Sequence, residues 1–389
     1  MRKSVIFLIA LLAVFAAVLS ACGPAAGTTA APTEAATSAP TEAVTEAAPT
    51  EAATAEATEA GGPVDTSVRV AAVLDTGGEN DRSFNEYTLK GAREAAEELG
   101  LDFAYVVSES TADYDRNIEN FVSEGYNLII TVGFLMGDAT AKAAVAHPDV
   151  HFAIIDYPYF PDADGHCPGD PDTVTDDCYK DVLPNVTSLL FAEDEVGYLA
   201  GVLAGCMTET NVIGSVSGME IPPVQKFVAG YQTGAKSVNP DVETLNVYIP
   251  DFNDPATGKQ AGQEQLSKDA DVIFGVGGNT GNGGLLAAKE AGKMAIGVDV
   301  DQYFTYPEVA DALITSAAKN MDVAAGDAVN AMAHGTLEGG IVTATVANGG
   351  VGLAPYHDWD SKISQDCKDK VTEAHDGLTA GTVDTGWNP

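Results

Sequence analysis

From Val68 to Phe191, short apolar runs alternate with stretches of helical periodicity, and this alternation restricts the possible folds more than any other feature of the chain. Val68–Leu74, Asp102–Val107, Leu128–Val132, His151–Asp156 and Val186–Phe191 read as strands. Tyr87–Leu99, Ala112–Ser123 and Met136–Ala146 read as the helices between them. Continuously apolar strands are buried on both faces, and strands separated by helices pair in parallel. The pattern predicts a doubly wound parallel sheet. It then starts again: Glu195–Met207, Val224–Asn239, Gly258–Ser267 and Gly284–Ala291 as helices, with Asn211–Ser217, Glu243–Ile249, Val272–Gly275 and Met294–Val298 as strands. The expected fold is therefore α/β, with two doubly wound parallel-sheet lobes and a cleft between them. Beyond residue 311, Ala312–Ala317, Thr343–Val346 and Gly350–Leu353 read as strands, and Asn320–His334 and Asp360–Ala374 as helices. These pieces are too few for a third lobe and are expected to return across a hinge. The domain reading is 66–190 plus about 300–340 for the first lobe and 191–299 plus about 341–389 for the second.

Open α/β sheets bind ligands at the carboxyl ends of their strands, so the polar residues there are the candidates for a site. The segment Asp75 to Glu86 follows the first strand. It offers a carboxylate (Asp75), two glycines, and an aromatic beside an amide (Phe84, Asn85), a set that suits a flat polar heterocycle. Its alternative is an Asx-rich turn with Phe84 in the core. Gly133-Phe134 and Asp156-Tyr157 end later strands of the first lobe. In the second lobe the corresponding groups are Gly218-Met219-Glu220, Phe227, the run Gly275 to Gly284, and Asp299 to Gln302. A planar ligand could stack between Phe84 and Phe227, one from each lobe. Phe227 also has helical spacing with Val224 and Tyr231, which suits a core position. Asp156 and Asp299 could equally be helix N-caps. A carboxylate such as Asp299 can accept two hydrogen bonds from vicinal hydroxyls. Lys319 reads as solvated or paired with a carboxylate such as Asp299. The glycine run invites a phosphate reading, but backbone approach to an uncharged ligand explains it as well. Asp299 and Asp301 alone make no metal site, and none is expected.

The amino terminus sets the compartment. Arg2 and Lys3 precede an apolar stretch, Val5 to Leu19, which is too short for a confident membrane span and is followed by Ser20-Ala21-Cys22. Small residues before a cysteine match the lipobox of bacterial lipoproteins. Residues 1–21 are thus expected to be a cleaved signal, and Cys22 the lipidated residue. Residues 22–65 repeat Ala, Thr, Glu and Pro, with no aromatic and no basic residue, and are expected to form a disordered tether. The protein is expected at the cell membrane, lipid-anchored and facing the extracytoplasmic side. In such an oxidising compartment Cys167 and Cys178, flanking a loop rich in Asp, Gly and Pro, predict a local disulfide. Cys206 and Cys367 could form a second. The net charge of −38 argues against nucleic-acid binding.

Signatures of catalysis are missing from the sequence. It has no Gly-x-Ser-x-Gly and no His-Glu-x-x-His, and its six histidines are scattered. Neither an enzymatic activity nor a cofactor is expected.

Taken in order, six segments resemble the basic membrane protein family, the lipoprotein substrate-binding subunits of nucleoside ABC importers. They are Asp75-Thr-Gly-Gly with Asp81-Arg-Ser-Phe-Asn85, Glu195 to Gly201, Phe227 to Ala235, Gly277 to Gly283, Gly297 to Gln302, and Thr315 to Lys319. The resemblance runs from about Val68 to the mid-350s. It implies a type I periplasmic-binding fold with three hinge crossings. It also implies that Phe84 and Phe227 sandwich a nucleobase and that Asp75, Asn85 and Asp156 bond its polar edge. Gly277 or Gly278, Asp299 and Lys319 would hold the ribose, and the Glu195 to Gly201 stretch would be structural. The implied function is capture of nucleosides, purines foremost, by a monomer that delivers them to ABC permease subunits without turnover. The rival readings are a type I binding protein for a sugar or signalling ligand, and an exported nucleoside-cleaving enzyme. The insert between Cys167 and Cys178 departs from the family pattern beside the base side of the expected site.

Overall fold

Strand β1 (Arg69–Leu74) lies between β2 (Asp102–Val107) and β3 (Leu128–Val132), parallel to both. Its residues 70–74 are fully buried, as a strand covered by helices on both faces must be. The computed structural model describes residues 62–388; the signal segment, Cys22 and the tether up to residue 61 lie outside the described residues.

The first lobe continues through α1 (Phe84–Leu99), α2 (Tyr114–Ser123), α3 (Gly137–Ala146) and β4 (His151–Ile155). A small hairpin follows, β5 (His166–Cys167) with β6 (Asp170–Val174), then the short α4 (Cys178–Asp181) and β7 (Val186–Phe191). Cys167 and Cys178 are joined as a disulfide, as expected. The second lobe comprises α5 (Glu193–Met207), β8 (Val212–Ser217), α6 (Pro222–Val238), β9 (Glu243–Tyr248), α7 (Pro255–Leu266) and β10 (Val272–Val276). It ends with α8 (Gly278–Glu290), β11 (Met294–Asp299), the short α9 (Gln302–Thr305) and β12 (Leu313–Lys319). The returning pieces are α10 (Met321–Ala333), β13 (Gly340–Ala344), β14 (Val351–Leu353) and α11 (Gln365–Thr379).

Two six-stranded sheets result, in the orders β13-β7-β4-β3-β1-β2 and β14-β12-β11-β10-β8-β9. All neighbours pair in parallel except β12 with β14. The chain crosses between the lobes at Ala192, at Lys319–Asn320, and over residues 345–350. The third crossing is tied to the others by main-chain bonds, Ala192 N–H to the Ala344 carbonyl (2.8 Å) and Asn320 N–H to the Gly350 carbonyl (2.9 Å).

The division of the tail differs from the sequence reading. β12 belongs to the second sheet, although 300–340 was assigned to the first lobe. β13 belongs to the first sheet, although residues from 341 were assigned to the second. Each is an apolar run with nothing local to say which sheet edge it joins, and the crossings at 319–320 and 345–350 decide it.

Helices α5 and α6 pack with their backbones in close contact. A Cβ at Gly201 would strike the main chain of Tyr231, and one at Gly234 the main chain of Tyr198. The structural part expected for Glu195 to Gly201 is thus to seat α6, and with it Phe227.

Candidate functional site

The loop after β1 is built around carboxylates. Asp75 Oδ1 accepts from the Gly77 N–H (2.8 Å) and from Asn85 Nδ2 (2.8 Å). Asn85 Oδ1 accepts from the Asp75 N–H (3.1 Å), and Asn85 Nδ2 also donates to Asp81 Oδ2 (3.0 Å). Asp81 accepts from the N–H groups of Ser83, Asn85 and Glu86, so it caps the first turn of α1. That cap places Phe84 at the first helical position, on the cavity wall. Burial pushes the Asp75 carboxyl up to about 6, against the bonds from Gly77 and Asn85.

All nine residues expected from the sequence line one interlobe cavity: Asp75, Phe84, Asn85, Asp156, Phe227, Gly277, Gly278, Asp299 and Lys319. The cavity encloses about 600 Å³ of atom-free space, part of it open to solvent. Phe84 and Phe227 reach it from opposite lobes, and Lys319 Nζ lies 5.1 Å from one ring centroid and 6.0 Å from the other. Phe227 lines the cavity and also takes the core position its spacing suggested, its ring meeting Phe274 edge-on at 5.9 Å.

Neither Asp156 nor Asp299 is a helix N-cap. Both stand at strand ends in the left-handed region, with φ of 69° and 68°. Lys319 Nζ donates to both Asp156 oxygens (2.8 and 2.7 Å) and to Glu193 Oε1 (3.0 Å). Of the two sequence readings of Lys319, solvated or paired with a carboxylate such as Asp299, the pairing holds, with Asp156 and Glu193 in place of Asp299. Asp299 is 5 % exposed, and its carboxylate receives no hydrogen bond from the described residues. Burial, opposed by Lys319 and reinforced by the charges of Asp156, Asp81 and Glu193, pushes its carboxyl up to about 7. Burial likewise lifts Asp156 to about 6 against the pull of Lys319.

The donors of this site are therefore spent inside the protein. The Lys319 ammonium has three N–H bonds and three carboxylate oxygens, and the Asn85 amide is committed to Asp75 and Asp81. The side-chain polar atoms left facing the cavity are carboxylate oxygens, between aromatic walls and beside the Gly277–Gly278 main chain. Such a site takes a flat, donor-rich molecule without negative charge.

Several features were not legible in the sequence. Phe252 also lines the cavity, and its only local signal is an aromatic just beyond a strand. Phe134, on the cavity wall, and Tyr157, both of which the sequence did place at strand ends, pack together (centroids 4.8 Å apart), and what it did not give is the continuation of the stack from Tyr157 to Tyr159 (4.9 Å) and from Tyr159 to Tyr179 of the disulfide-bounded insert (6.0 Å). The insert thus braces one wall. Of the glycine run, only Gly277 and Gly278 reach the cavity. Gly281 and Gly283 lie inside α8, which starts at Gly278 rather than Gly284, and let it approach β10 and α7. Asp301 is paired with His357 Nε2 (2.8 Å), and no metal-ligating cluster occurs among the described residues. Cys206 and Cys367 are free thiols, so the second disulfide that the sequence allowed is not formed.

Across the cleft, the Arg82 guanidinium bonds both Glu308 oxygens (2.8 and 3.3 Å) and lies over the Tyr306 ring at 4.6 Å. Thr305 Oγ1 donates to the Arg82 carbonyl (2.8 Å), and Asn282 Nδ2 to that of Asp81 (3.3 Å). The loop after β1 is therefore held against the second lobe.

The chain can be set beside known proteins. The sequence model of the Bmp family, described as ABC transporter substrate-binding protein PnrA-like, matches residues 68–377. The ABC transporter nucleoside-binding protein BmpA of Lactococcus lactis is 32 % identical over 341 residues, covering 83 % of this chain and 90 % of that protein. An uncharacterized lipoprotein of Pyrococcus horikoshii is 34 % identical over 308 residues, covering 76 % of this chain and 69 % of that protein. Among solved structures, an ABC transporter solute-binding protein of Aeropyrum pernix superposes with a TM-score of 0.71 at 28 % identity, covering 82 % of this chain and 92 % of that one.

Proposed function

The chain belongs to the Bmp family of PnrA-like ABC transporter substrate-binding proteins, and on that premise we propose that its cavity captures nucleosides, purines foremost, and hands them to an ABC permease. The observation that carries this reading is the facing of Phe84 and Phe227 across a cavity whose free side-chain polar atoms are carboxylate oxygens. The two rings sandwich the base. Asp75, held by Asn85, and Asp156 accept from its N–H edge. Asp299 accepts from ribose hydroxyls beside the Gly277–Gly278 backbone. Lys319, its own donors committed, fixes Asp156. A phosphate would meet an excess of like charge from Asp75, Asp156 and Asp299, with the Lys319 ammonium already held by Asp156 and Glu193, so nucleotides are expected to be rejected.

Binding proceeds without turnover. Each lobe supplies one ring, so a stacked base gains both contacts only when the lobes are closed, and this difference shifts the population toward closure. The lipid on Cys22 and the tether that follows keep the monomer at the membrane, facing the extracytoplasmic side.

Calorimetry and thermal shift against nucleosides, free bases, ribose, common sugars and nucleoside monophosphates test the proposal. Nucleosides are expected to bind and raise the melting midpoint, corresponding to about 2.7 kcal/mol at a hundredfold excess over Kd. Binding of sugars alone, or of monophosphates as tightly as nucleosides, would remove it. Release of free base on long incubation would point to cleavage instead.

A further inference from the structure

The cavity is joined to the hinge by a line of buried ions. Glu193, 1 % exposed, opens α5 immediately after the first crossing and does not line the cavity. Its Oε1 accepts from Lys319 Nζ, the last residue before the second crossing (3.0 Å). Its Oε2 accepts from Lys226 Nζ on α6 (3.1 Å), and Lys226 also donates to the Phe191 carbonyl, just ahead of the first crossing (3.2 Å). Lys319 in turn grips both oxygens of Asp156, which does line the cavity. The rings of Phe84, Phe191 and Phe227 enclose the Lys319 ammonium at 5.1, 4.6 and 6.0 Å.

We propose that Glu193 is a positioning residue for the ligand cavity, anchoring Lys319 from the hinge so that the Asp156 carboxylate is fixed in place toward a ligand donor and feels the opposing charges of Glu193 and Lys226 from outside the cavity. The chain runs Lys226, Glu193, Lys319, Asp156, with charges alternating at every step. Lys226 and Glu193 have opposite signs and lie outside the cavity, yet both are felt at Asp156. Glu193 disfavours its ionisation and Lys226 favours it, while Lys319 favours it most. The other charged group against the Lys319 ammonium is Asp299 on β11, and Asp81 acts on Asp299 from the loop after β1. Glu193 itself is pushed up by burial, but the Lys319 and Lys226 ammonium groups outweigh this and hold it below the usual carboxylate range.

This inference rests on the nucleoside reading for its binding arm, and a second arm does not. In the first, affinity for the tightest-binding nucleoside of the calorimetric screen is measured from pH 5 to pH 8 in the parent, Glu193→Gln and Lys226→Gln proteins. Each is normalised to its own value at pH 8. Glu193→Gln should move the acid limb down by about one pH unit and Lys226→Gln should move it up, because opposite charges are removed. A purely structural loss would weaken binding by one factor at every pH. In the second arm, carbon-13 NMR follows the Asp156 carboxyl in the nucleoside-free protein, its signal assigned by its absence in Asp156→Asn. The same opposite shifts are expected there. If no nucleoside binds, the functional reading fails while this arm still decides the role of Glu193. Lys226→Gln, at the partly exposed end of the line, carries the test if Glu193→Gln does not fold. Shifts of one sign in both variants, or none beyond about 0.2 pH unit, overturn the proposal.

Discussion

The two lobes use the same backbone device and different electrostatics. The third strand of each first round, β3 or β10, ends in a glycine at high positive φ, Gly133 at 117° and Gly277 at 107°. The fourth strand, β4 or β11, ends in an aspartate in the left-handed region, Asp156 or Asp299. Equivalent corners thus aim equivalent carboxylates into the cleft. The difference lies in what answers each charge. Asp156 is gripped by Lys319, whereas Asp299 has no hydrogen bond from the described residues and, on the proposed function, receives one from the ligand. One carboxylate is prepared by the protein, and the other is left to be completed by what binds.

Removing each in turn gives the widest expected separation. Asp156→Asn leaves the Lys319 ammonium with Glu193 alone and should cost about 3 kcal/mol in urea unfolding at pH 8. Asp299→Asn removes an unsatisfied buried charge and should raise stability by about 1–3 kcal/mol under the same conditions. Nucleoside affinity should fall in both. Stability changes of one sign would show that the two carboxylates are not differently served.

Alanine at the rings comes next. Phe84→Ala and Phe227→Ala should each cost about 1–3 kcal/mol of nucleoside affinity by calorimetry. Phe227→Ala should in addition lower stability, because that ring packs on Phe274. Loss of affinity in only one of them would leave a platform and not a sandwich.

Acidity should separate binding from stability. Asp75 and Asp156 titrate at about 6 and Asp299 at about 7, all raised from an ordinary 3.8. Between about pH 4 and 7 the folded, nucleoside-free protein therefore holds more protons than the unfolded chain. The contribution of these three groups to stability is full below pH 4 and declines as pH rises through their folded values. Nucleoside affinity runs the other way, since the ligand needs ionised acceptors, and should fall at least about thirtyfold from pH 8 to pH 5.5, the share of Asp299 alone. Parallel slopes, from calorimetry and urea unfolding at matched pH, would contradict this assignment.

The smallest effect belongs to the surface. Arg82→Ala removes an exposed pair with Glu308 and should change affinity by less than about threefold, mainly through faster release in stopped-flow measurements.

Strand ends were legible in the sequence because parallel sheets put ligands there, and Phe84, Asp156 and Asp299 announce themselves after apolar runs. The partners of those residues were not. Lys319 and Asp156 are separated by 163 positions, and nothing local favours Asp156 over Asp299 as its partner. Glu193 looks like any acidic residue in the first turn of a helix. The glycines of α8 were read toward a ligand because backbone approach to a neighbouring helix leaves the same pattern. The paths of β12 and β13 escaped for a related reason, since an apolar run records that it is buried but not beside which strand.

The route of the chain through the hinge has a consequence for biogenesis. The first lobe lacks its edge strand until β13, residues 340–344, has been made, although β7 ends at residue 191. Completing that sheet requires a contact of very long sequence separation, the slowest kind to form. A nascent chain therefore cannot complete its first sheet before nearly all of it has been synthesised. A chain truncated before residue 340 would instead present the bare edge of β7 to other molecules and should aggregate.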